Sequence, residues 1–503
     1  MICGTTTFFK SLPNEAIFGV SRIVCGVVLC WILAMDTHAS EKTSEFREIL
    51  ELAGVDPEKL SQFGQDANFK NDDWPIITQI LYRLRQFPDK QLELWSKKAD
   101  LGRWLEEADV PIGELHEISG HVESCEVLSP PQQLAESNSL PVLYRCQFKS
   151  NSPGLSGTLF TRQIPQRWKP GQSMADPVLF YGVLLQHSIS EKQCHVFMLA
   201  DRVAWYPQQG VPIGQLLLAR NGMDVALLDE IIQRQPFVLP TISRESEAFY
   251  SCLAALGRTN KEELISRCQE NIIAVAEKWR HAFDDLQGQH QEAKKQLALA
   301  STPEDQQKWK KKETLLRERR SVAAAIIKQS KLGLSSLGPF FLNPEQEVGE
   351  LVQLEGVARR AIRIVVPERP EIGAYYELEI FTSEAKYLEN RPVVCCVNRL
   401  PEGFPQGDLI REPVRIYGMF FKSWLYRTRN IQEERGGETE GQLRLYTPLV
   451  LADSPVWIRS AAVHQRPWDL WAGIAFLVML AAFWLNFVRV SHRKRRTEKV
   501  ELK

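Results

Sequence analysis

The chain has 503 residues, 44% of them hydrophobic and 24% charged, with 61 Lys and Arg against 62 Asp and Glu for a formal net charge of -1. This make-up excludes a disordered, collagenous or disulfide-dense chain and leaves room for more than one hydrophobic core. The near-neutral balance excludes global attraction to nucleic acid or to an anionic membrane surface, so no nucleic-acid partner is expected.

The chain begins with a secretory pattern. Lys10 and Arg22 precede an apolar run from Ile23 to Met35 and the small residues Thr37-His38-Ala39-Ser40. That is the order of a basic region, an apolar region and a cleavage site. Residues 1–40 therefore read as a signal peptide cut near Ala39, or as an uncleaved N-terminal anchor starting near Ile17. The apolar run is shorter than the roughly 20 residues that span a bilayer.

An internal duplication organises the rest of the chain. Ile112-Gly113-Glu114-Leu115 and its continuation to Gly120 recur as Val348-Gly349-Glu350-Leu351 and its continuation to Gly356. Pro165, Trp168, Gly171, Pro177, Val178, Tyr181 and Gly182 are answered at the same offset by Pro401, Phe404, Gly407, Pro413, Val414, Tyr417 and Gly418. Leu199-Ala200-Asp201 with Trp205 recurs as Leu451-Ala452-Asp453 with Trp457. A fainter match joins Gly54-Val55-Asp56, Leu60 and Tyr82 to Gly222-Met223-Asp224, Leu228 and Tyr250.

The whole unit is thus expected twice, each time as a helical lead followed by a β module. The leads cover 41–110 and 208–259, and the β modules 111–207 and 345–460. Leu143 to Phe148 and Tyr376 to Phe381 alternate with the period of half-buried strands, Val178 to Leu185 and Val414 to Phe421 are denser apolar strands, and Pro and Gly punctuate between them. Each module reads as an antiparallel, barrel-like (OB-like) sheet, with a small sandwich as the alternative.

The second unit carries an insertion at 260–331. Leu264, Cys268, Ile272, Val275, Trp279, Ala282, Leu286, Ala293 and Leu297 fall in steps of three, four and seven and mark one apolar helical seam. Ser301-Thr302-Pro303-Glu304-Asp305 breaks the helix and restarts it, and a second seam runs through Trp309, Leu316, Ala323 and Ile327. A helical hairpin projecting as an arm is expected.

Trp471 to Val488 is apolar for about 18 residues, a rise of roughly 27 Å, which fits the hydrocarbon thickness. Residues 468–490 read as one C-terminal transmembrane helix, flanked by Trp468, Trp471 and Trp484 and followed by a basic tail at 491–503 with Arg493, Lys494, Arg495 and Arg496. That charge bias places the tail in the cytoplasm and the bulk of the chain outside it, at the cytoplasmic (inner) membrane. The expected fold class is α+β: two tandem leads and OB-like modules, a hairpin in the second copy and one membrane span.

Seven cysteines fall in the exported part: Cys125, Cys146, Cys194, Cys252, Cys268, Cys395 and Cys396. They lack Cys-x-x-Cys spacing, and most are expected to be small buried apolar residues. Asp201 and Asp453 are candidate paired carboxylates because each recurs after an apolar run, and the bland account is a strand-ending turn. Glu114 and Glu350 recur at the mouth of the first strand of each module, as junction residues. His116, His121, His187 and His195 show no metal spacing, and no metal or cofactor is expected. Lys310, Lys311, Lys312, Arg317 and Arg320 are the candidate contacts to a partner, against the alternative of a solvated face.

One short stretch, Val394-Cys395-Cys396-Val397-Asn398-Arg399-Leu400-Pro401 with Val414-Arg415-Ile416-Tyr417-Gly418, resembles the Val-Asn-Arg-Gly-Trp-x-Pro segment of the Surfeit-locus family of cytochrome oxidase assembly proteins. The Gly-Trp is absent and the rest of the chain follows another pattern, so no role is carried over. The expected function is a membrane-anchored, extracytoplasmic binding or scaffold protein without evident catalysis, acting on a protein or envelope partner. The alternatives are an envelope-polymer hydrolase using Asp201 or Asp453 and an assembly factor for a membrane complex.

Overall fold

A computed structural model describes residues 45–498 apart from 56–59, 61–72, 100–103, 105–111, 138–139, 191–192, 236–242, 385–391, 427–444 and 460–466. The segment read as a signal, 1–40, lies outside the described residues, as does the end of the basic tail from 499. The first lead contains α1 (Glu45–Leu52), α2 (Trp74–Arg85) and α3 (Asp89–Trp95). Helix α2 starts with Pro75 in its first turn, ends with Arg83 and Arg85 near its open carbonyls, and buries Trp74, Ile77, Ile80, Leu81 and Leu84 along one stripe.

The strands of the first module are β1 (Lys97–Lys98), β2 (Leu115–Leu128), β3 (Leu143–Ser150), β4 (Leu155–Gln163), β5 (Ser173–Ser190), β6 (Gln193–Arg202) and β7 (Ala204–Trp205). Strand β2 pairs with β3 and β3 with β4; β4 lies parallel to β6, β6 pairs with β5, and β5 returns to β2. Five strands therefore form a closed circuit of hydrogen bonds, with β7 added to β5 and β1 to β2.

The second unit continues with α4 (Ile213–Arg220), α5 (Arg244–Arg258), the long helices α6 (Lys261–Leu299) and α7 (Pro303–Ser330), then β8 (Leu351–Val365), β9 (Ala374–Thr382), β10 (Val393–Val397), β11 (Glu412–Tyr426), β12 (Leu445–Ala452) and β13 (Val456–Trp457). Its circuit is β8 to β9, β9 to β10, β10 parallel to β12, β12 to β11 and β11 back to β8, with β13 on β11 as β7 is on β5. Even the bulges match, between Val122 and Ser124 and between Ala358 and Arg360, and again between Leu184 and Gln186 and between Phe420 and Lys422.

The repeated Gly-Glu-Leu has a physical reason in this geometry. Gly113 and Gly349 both hold φ at +83°, a left-handed conformation that favours glycine. The Gly113 amide donates to the Leu184 carbonyl at 2.8 Å and the Leu184 amide donates to the Glu114 carbonyl at 3.0 Å; Gly349, Phe420 and Glu350 repeat both bonds at 2.9 Å. Each glycine thus lets the chain enter its first strand while pinned to the bulge of the fourth.

Packing ties the two units into one body. The first lead covers the outer face of the first circuit through Ile77, Leu84 and Trp95 against Phe160, Leu185 and Leu199. The interior of that circuit, with Ile118, Phe148, Val196 and Met198, joins a cluster that continues through Leu218, Phe249 and Leu253 of the second lead to Val394, Tyr417 and Leu451 on the outside of the second circuit. A separate cluster, with Leu354, Ile380, Ile416 and Val450, fills the second circuit. Strand β10 serves both sides, sending Val393, Cys395 and Val397 inward and Val394 and Cys396 outward against α5. The vicinal cysteines are therefore apolar fillers on opposite faces, and burial pushes both thiols up.

Cys194, Cys252 and Cys268 are likewise free and buried. Cys125 and Cys146 depart from that pattern: they face each other across β2 and β3 and form a disulfide in the core of the first circuit.

Helices α6 and α7 fold back on one another. Asn260 and Thr302 cap them by accepting from Glu262, Glu263 and Asp305 amides. Leu286 and Ala293 meet Leu316 and Ala323, while Ala276 meets Val322 and Ile326, so beyond their base these helices bury side chains only against each other. The base docks on β8 through the Cys268 thiol to the Val352 carbonyl at 3.5 Å and the Asn271 amide to the Leu351 carbonyl at 2.9 Å.

The last helix, α8 (Pro467–Glu498), includes the run read as a membrane span. Its side chains from 474 to 487 are exposed, Phe476, Leu477, Trp484 and Phe487 each by more than half. Among the described residues no helix is long and apolar enough to cross a membrane. The run from Trp471 begins before the first described side chains of this helix.

Candidate functional site

The repeated aspartates occupy the same corner of each circuit, at the end of its fifth strand. Asp201 is buried and accepts from Arg162 Nε of β4 at 2.9 Å on one oxygen and from Arg244 at the start of α5 on the other. Asp453 accepts from Arg399 Nε at 3.0 Å and Nη2 at 2.6 Å, just beyond β10. Both carboxylates tie the third-strand and fifth-strand ends together, and Asp201 also ties the first unit to the second. With both oxygens of Asp201 held by guanidinium groups, neither is free to take a proton from a reactant.

Glu114 pairs with Lys97 at 2.7 Å and so holds β1 beside the start of β2. Glu350 lies under the base of the arm, where burial pushes its carboxyl up against the pull of Asn271, Lys278 and Arg167. Its neighbour Glu347 is pushed up to about 7, by burial first and by Glu350 second. Lys310, Lys311, Lys312 and Arg317 are exposed on α7 and Arg320 is half-buried. Lys312 Nζ lies 4.9 Å from the Trp309 ring centre and Arg317 lies 3.9 Å from Glu313, which itself meets His290 at 2.9 Å.

Ser156 and Thr158 flank the His195 ring at 3.4 and 3.3 Å, and burial lowers the histidine pKa. Among the described residues no carboxylate joins that network, which leaves the ring without the orienting acid of a nucleophilic triad. Among the described residues no group of three or more His, Cys, Asp or Glu is placed to hold a metal ion.

The arrangement richest in polar chemistry is a cleft of ≈ 180 Å³ where the two units meet. Helix α3, strands β5 to β7 and the second lead line it, and Asp201 lies in its wall. Arg202, one residue beyond Asp201, is buried there between Asp89 Oδ2 at 2.5 Å and Asp224. Asp224 also accepts from the Trp205 amide at 2.7 Å and the Ala226 amide at 3.0 Å, which closes the turn after β7. Burial works against the Arg202 charge, but Asp224 and Asp89 outweigh it and hold the guanidinium above its ordinary pKa. Burial pushes the Tyr181 and Tyr206 hydroxyls up, and nearby carboxylates, Glu93 first for Tyr181 and Asp224 first for Tyr206, push in the same direction.

The rim is a chain of ion pairs between units. Lys90 of α3 meets Glu371 at 2.8 Å, and Arg369 meets Glu371 at 3.7 Å and Glu247 of α5 at 2.6 Å. Sequence reasoning misses Asp89, Arg202, Tyr206 and Asp224 as site residues, although Arg202 carries a signal: it adjoins the repeated Asp201, yet its counterpart after Asp453 is Ser454.

No protein-family model matches the chain, and no curated protein and no solved structure matches it.

Proposed function

We propose that this chain is a membrane-anchored, extracytoplasmic binding or scaffold protein of the inner membrane, built from two OB-like barrels and without catalysis of its own. The observation that carries this reading is the use of the repeated polar residues. Asp201 and Asp453 are both engaged in ion pairs that join the third- and fifth-strand ends, so duplication has copied a supporting frame rather than a reactive centre.

Connectivity supports the OB-like assignment, since in each circuit the first strand bonds to the second and fourth and the third runs parallel to the fifth. The Cys125–Cys146 bridge favours an oxidising compartment outside the cytoplasm. The exposed apolar side chains of α8, with Arg493 to Arg496 next in sequence, favour membrane attachment with a cytoplasmic tail. Partner contact falls to the arm, whose two helices pack on each other beyond the base and leave Lys310, Lys311 and Lys312 facing solvent.

Photo-crosslinkers placed singly at Lys311 and Arg319 on the arm, and at Lys149 and Glu355 on the strand circuits, test this in intact membranes. The expected result is one defined adduct from the arm positions and none from the strand circuits. Adducts from the circuits alone, or turnover of an envelope polymer abolished by Asp201→Asn, would overturn it.

A further inference from the structure

We propose that the cleft between the units recognises an organic cation, an alkylammonium or alkylguanidinium group, either free or at the end of a side chain. The proposal goes beyond the scaffold reading and does not depend on it.

The first support is the balance of charge in the walls. Asp89, Glu93, Asp201, Asp224 and Glu247 share the wall with Lys90 and Arg202. Behind the wall Arg162 and Arg244 hold Asp201 and Arg369 holds Glu247, while Glu230 and Glu371 add two carboxylates, so seven carboxylates stand against five cations in this network. Arg202 is committed to Asp89 and Asp224, and Lys90 to Glu371. Glu93 is exposed at the mouth, and among the described residues no cation pairs with it. An entering anion would meet this excess of carboxylate, whereas an entering cation would complete it.

The second support is the shape and character of the space. At ≈ 180 Å³ it is far larger than a single water requires. Leu92, Leu179 and Leu227 offer apolar wall to an aliphatic stem, and Tyr181 and Tyr206 offer aromatic rings to its charged head. Burial first, and nearby carboxylates after it, push both tyrosine hydroxyls up, with Arg202 pulling the other way on Tyr206.

The third support is independent of the cleft's own contents, because the repeat provides a control. Tyr181, Asp201 and Trp205 recur as Tyr417, Asp453 and Trp457, but Arg202 and Tyr206 become Ser454 and Ile458. At the same corner of the second unit α5 packs closely on the strand ends: a Cβ at Gly257 would come within 2.9 Å of Asn398 Nδ2 and 3.8 Å of Asp453 Oδ1. What the fold needs is present twice, and the Arg202 and Tyr206 side chains that line the cleft are not repeated.

The test uses the purified full-length chain in detergent at fixed ionic strength. Butylammonium and butylguanidinium chloride, neutral 1-butanol and sodium butyrate are titrated by calorimetry and by ligand-observed NMR. Both cations should bind saturably, and butanol and butyrate at least tenfold more weakly. Glu93→Gln should weaken the cations several-fold and Glu93→Lys should abolish their binding, while Glu123→Gln, on the far side of the first circuit, should leave it unchanged. Because Glu93 is exposed, its variants should keep the wild-type unfolding profile. A capped lysine peptide binding more tightly than butylammonium would identify a side chain as the source of the cation, and the reverse a free amine. Equal binding of butanol, no saturable binding of either cation, or undiminished binding by Glu93→Lys would overturn the proposal.

Discussion

Glu347 sits where the base of the arm meets the second circuit, lining a cavity of ≈ 40 Å³ with Asn271, Ile272 and Glu350. Burial and the neighbouring Glu350 carry its carboxyl from 4.5 to about 7, with Lys278 pulling the other way. The folded value lies above the unfolded one, so the native state binds more protons between them. The stability tied to this group is fully present below pH 4.5 and is lost as pH rises through about 7. At 1.36 kcal/mol per pH unit between the two values, the ceiling is about 3 kcal/mol. Partial solvent access reduces this to roughly 1–2 kcal/mol. Glu347→Gln keeps the shape of the protonated acid without its titration. It should raise stability by that amount at pH 8 and change little at pH 5. Urea unfolding of the detergent-solubilised chain, followed by tryptophan fluorescence at pH 5, 6.5 and 8, reads both the gain and its loss on acidification. A variant no more stable than wild type at pH 8, with the same pH dependence, would refute the reasoning.

Replacing Cys125 and Cys146 together by Ser reopens a loop with a sequence separation of 21 and should lower stability by about 3 kcal/mol, read as a lower urea midpoint under non-reducing conditions. Asp201→Asn leaves the largely buried Arg162 and Arg244 without their carboxylate and should cost about 3 kcal/mol. Asp453→Asn should cost less, because Arg399 is 68% exposed; equal losses in thermal unfolding would contradict the assigned pairing. Gly349→Ala should destabilise by about 1–2 kcal/mol for its positive φ alone, and more through a Cβ placed 2.9 Å from Gln215 Cγ. Gly113→Ala, whose Cβ meets Leu60 Cδ1 at 3.4 Å, should be the milder of the two in the same assay.

The repeat is legible in the sequence because its strongest matches are backbone requirements. Gly113 and Gly349 must hold a positive φ beside a bulge, and aspartates at the fifth-strand ends must meet arginines. The helical seams of the insertion are visible for the same reason: Leu264, Cys268, Ile272, Leu286 and Ala293 fall on the buried side of α6. The arginines themselves cannot be read, since Arg162, Arg244 and Arg399 come from different relative positions in the two units. Nor can the disulfide. The bulge between Val122 and Ser124 shifts the register so that Cys125 faces Cys146, where an unbroken ladder would set it opposite Arg145. The cleft is hidden most completely, because Asp89, Arg202 and Asp224 come from separate segments that only the packing of one unit on the next brings together.

The placement of the arm has a consequence for how its reach can change. One foot rests on β8 through Cys268 and Asn271, and the chain returns to the same strand where the Ser335 amide donates to the Gln353 carbonyl at 2.9 Å. Both feet stand on neighbouring residues of one strand, so nothing beyond them enters the cores of the two circuits. Matched seven-residue blocks could be added to or removed from α6 and α7 together, each pair altering the length by about 10 Å while keeping the seam in register. The arm is in this sense a telescoping spacer on a fixed mount, and the distance between this body and whatever the tip touches can be reset without refolding either.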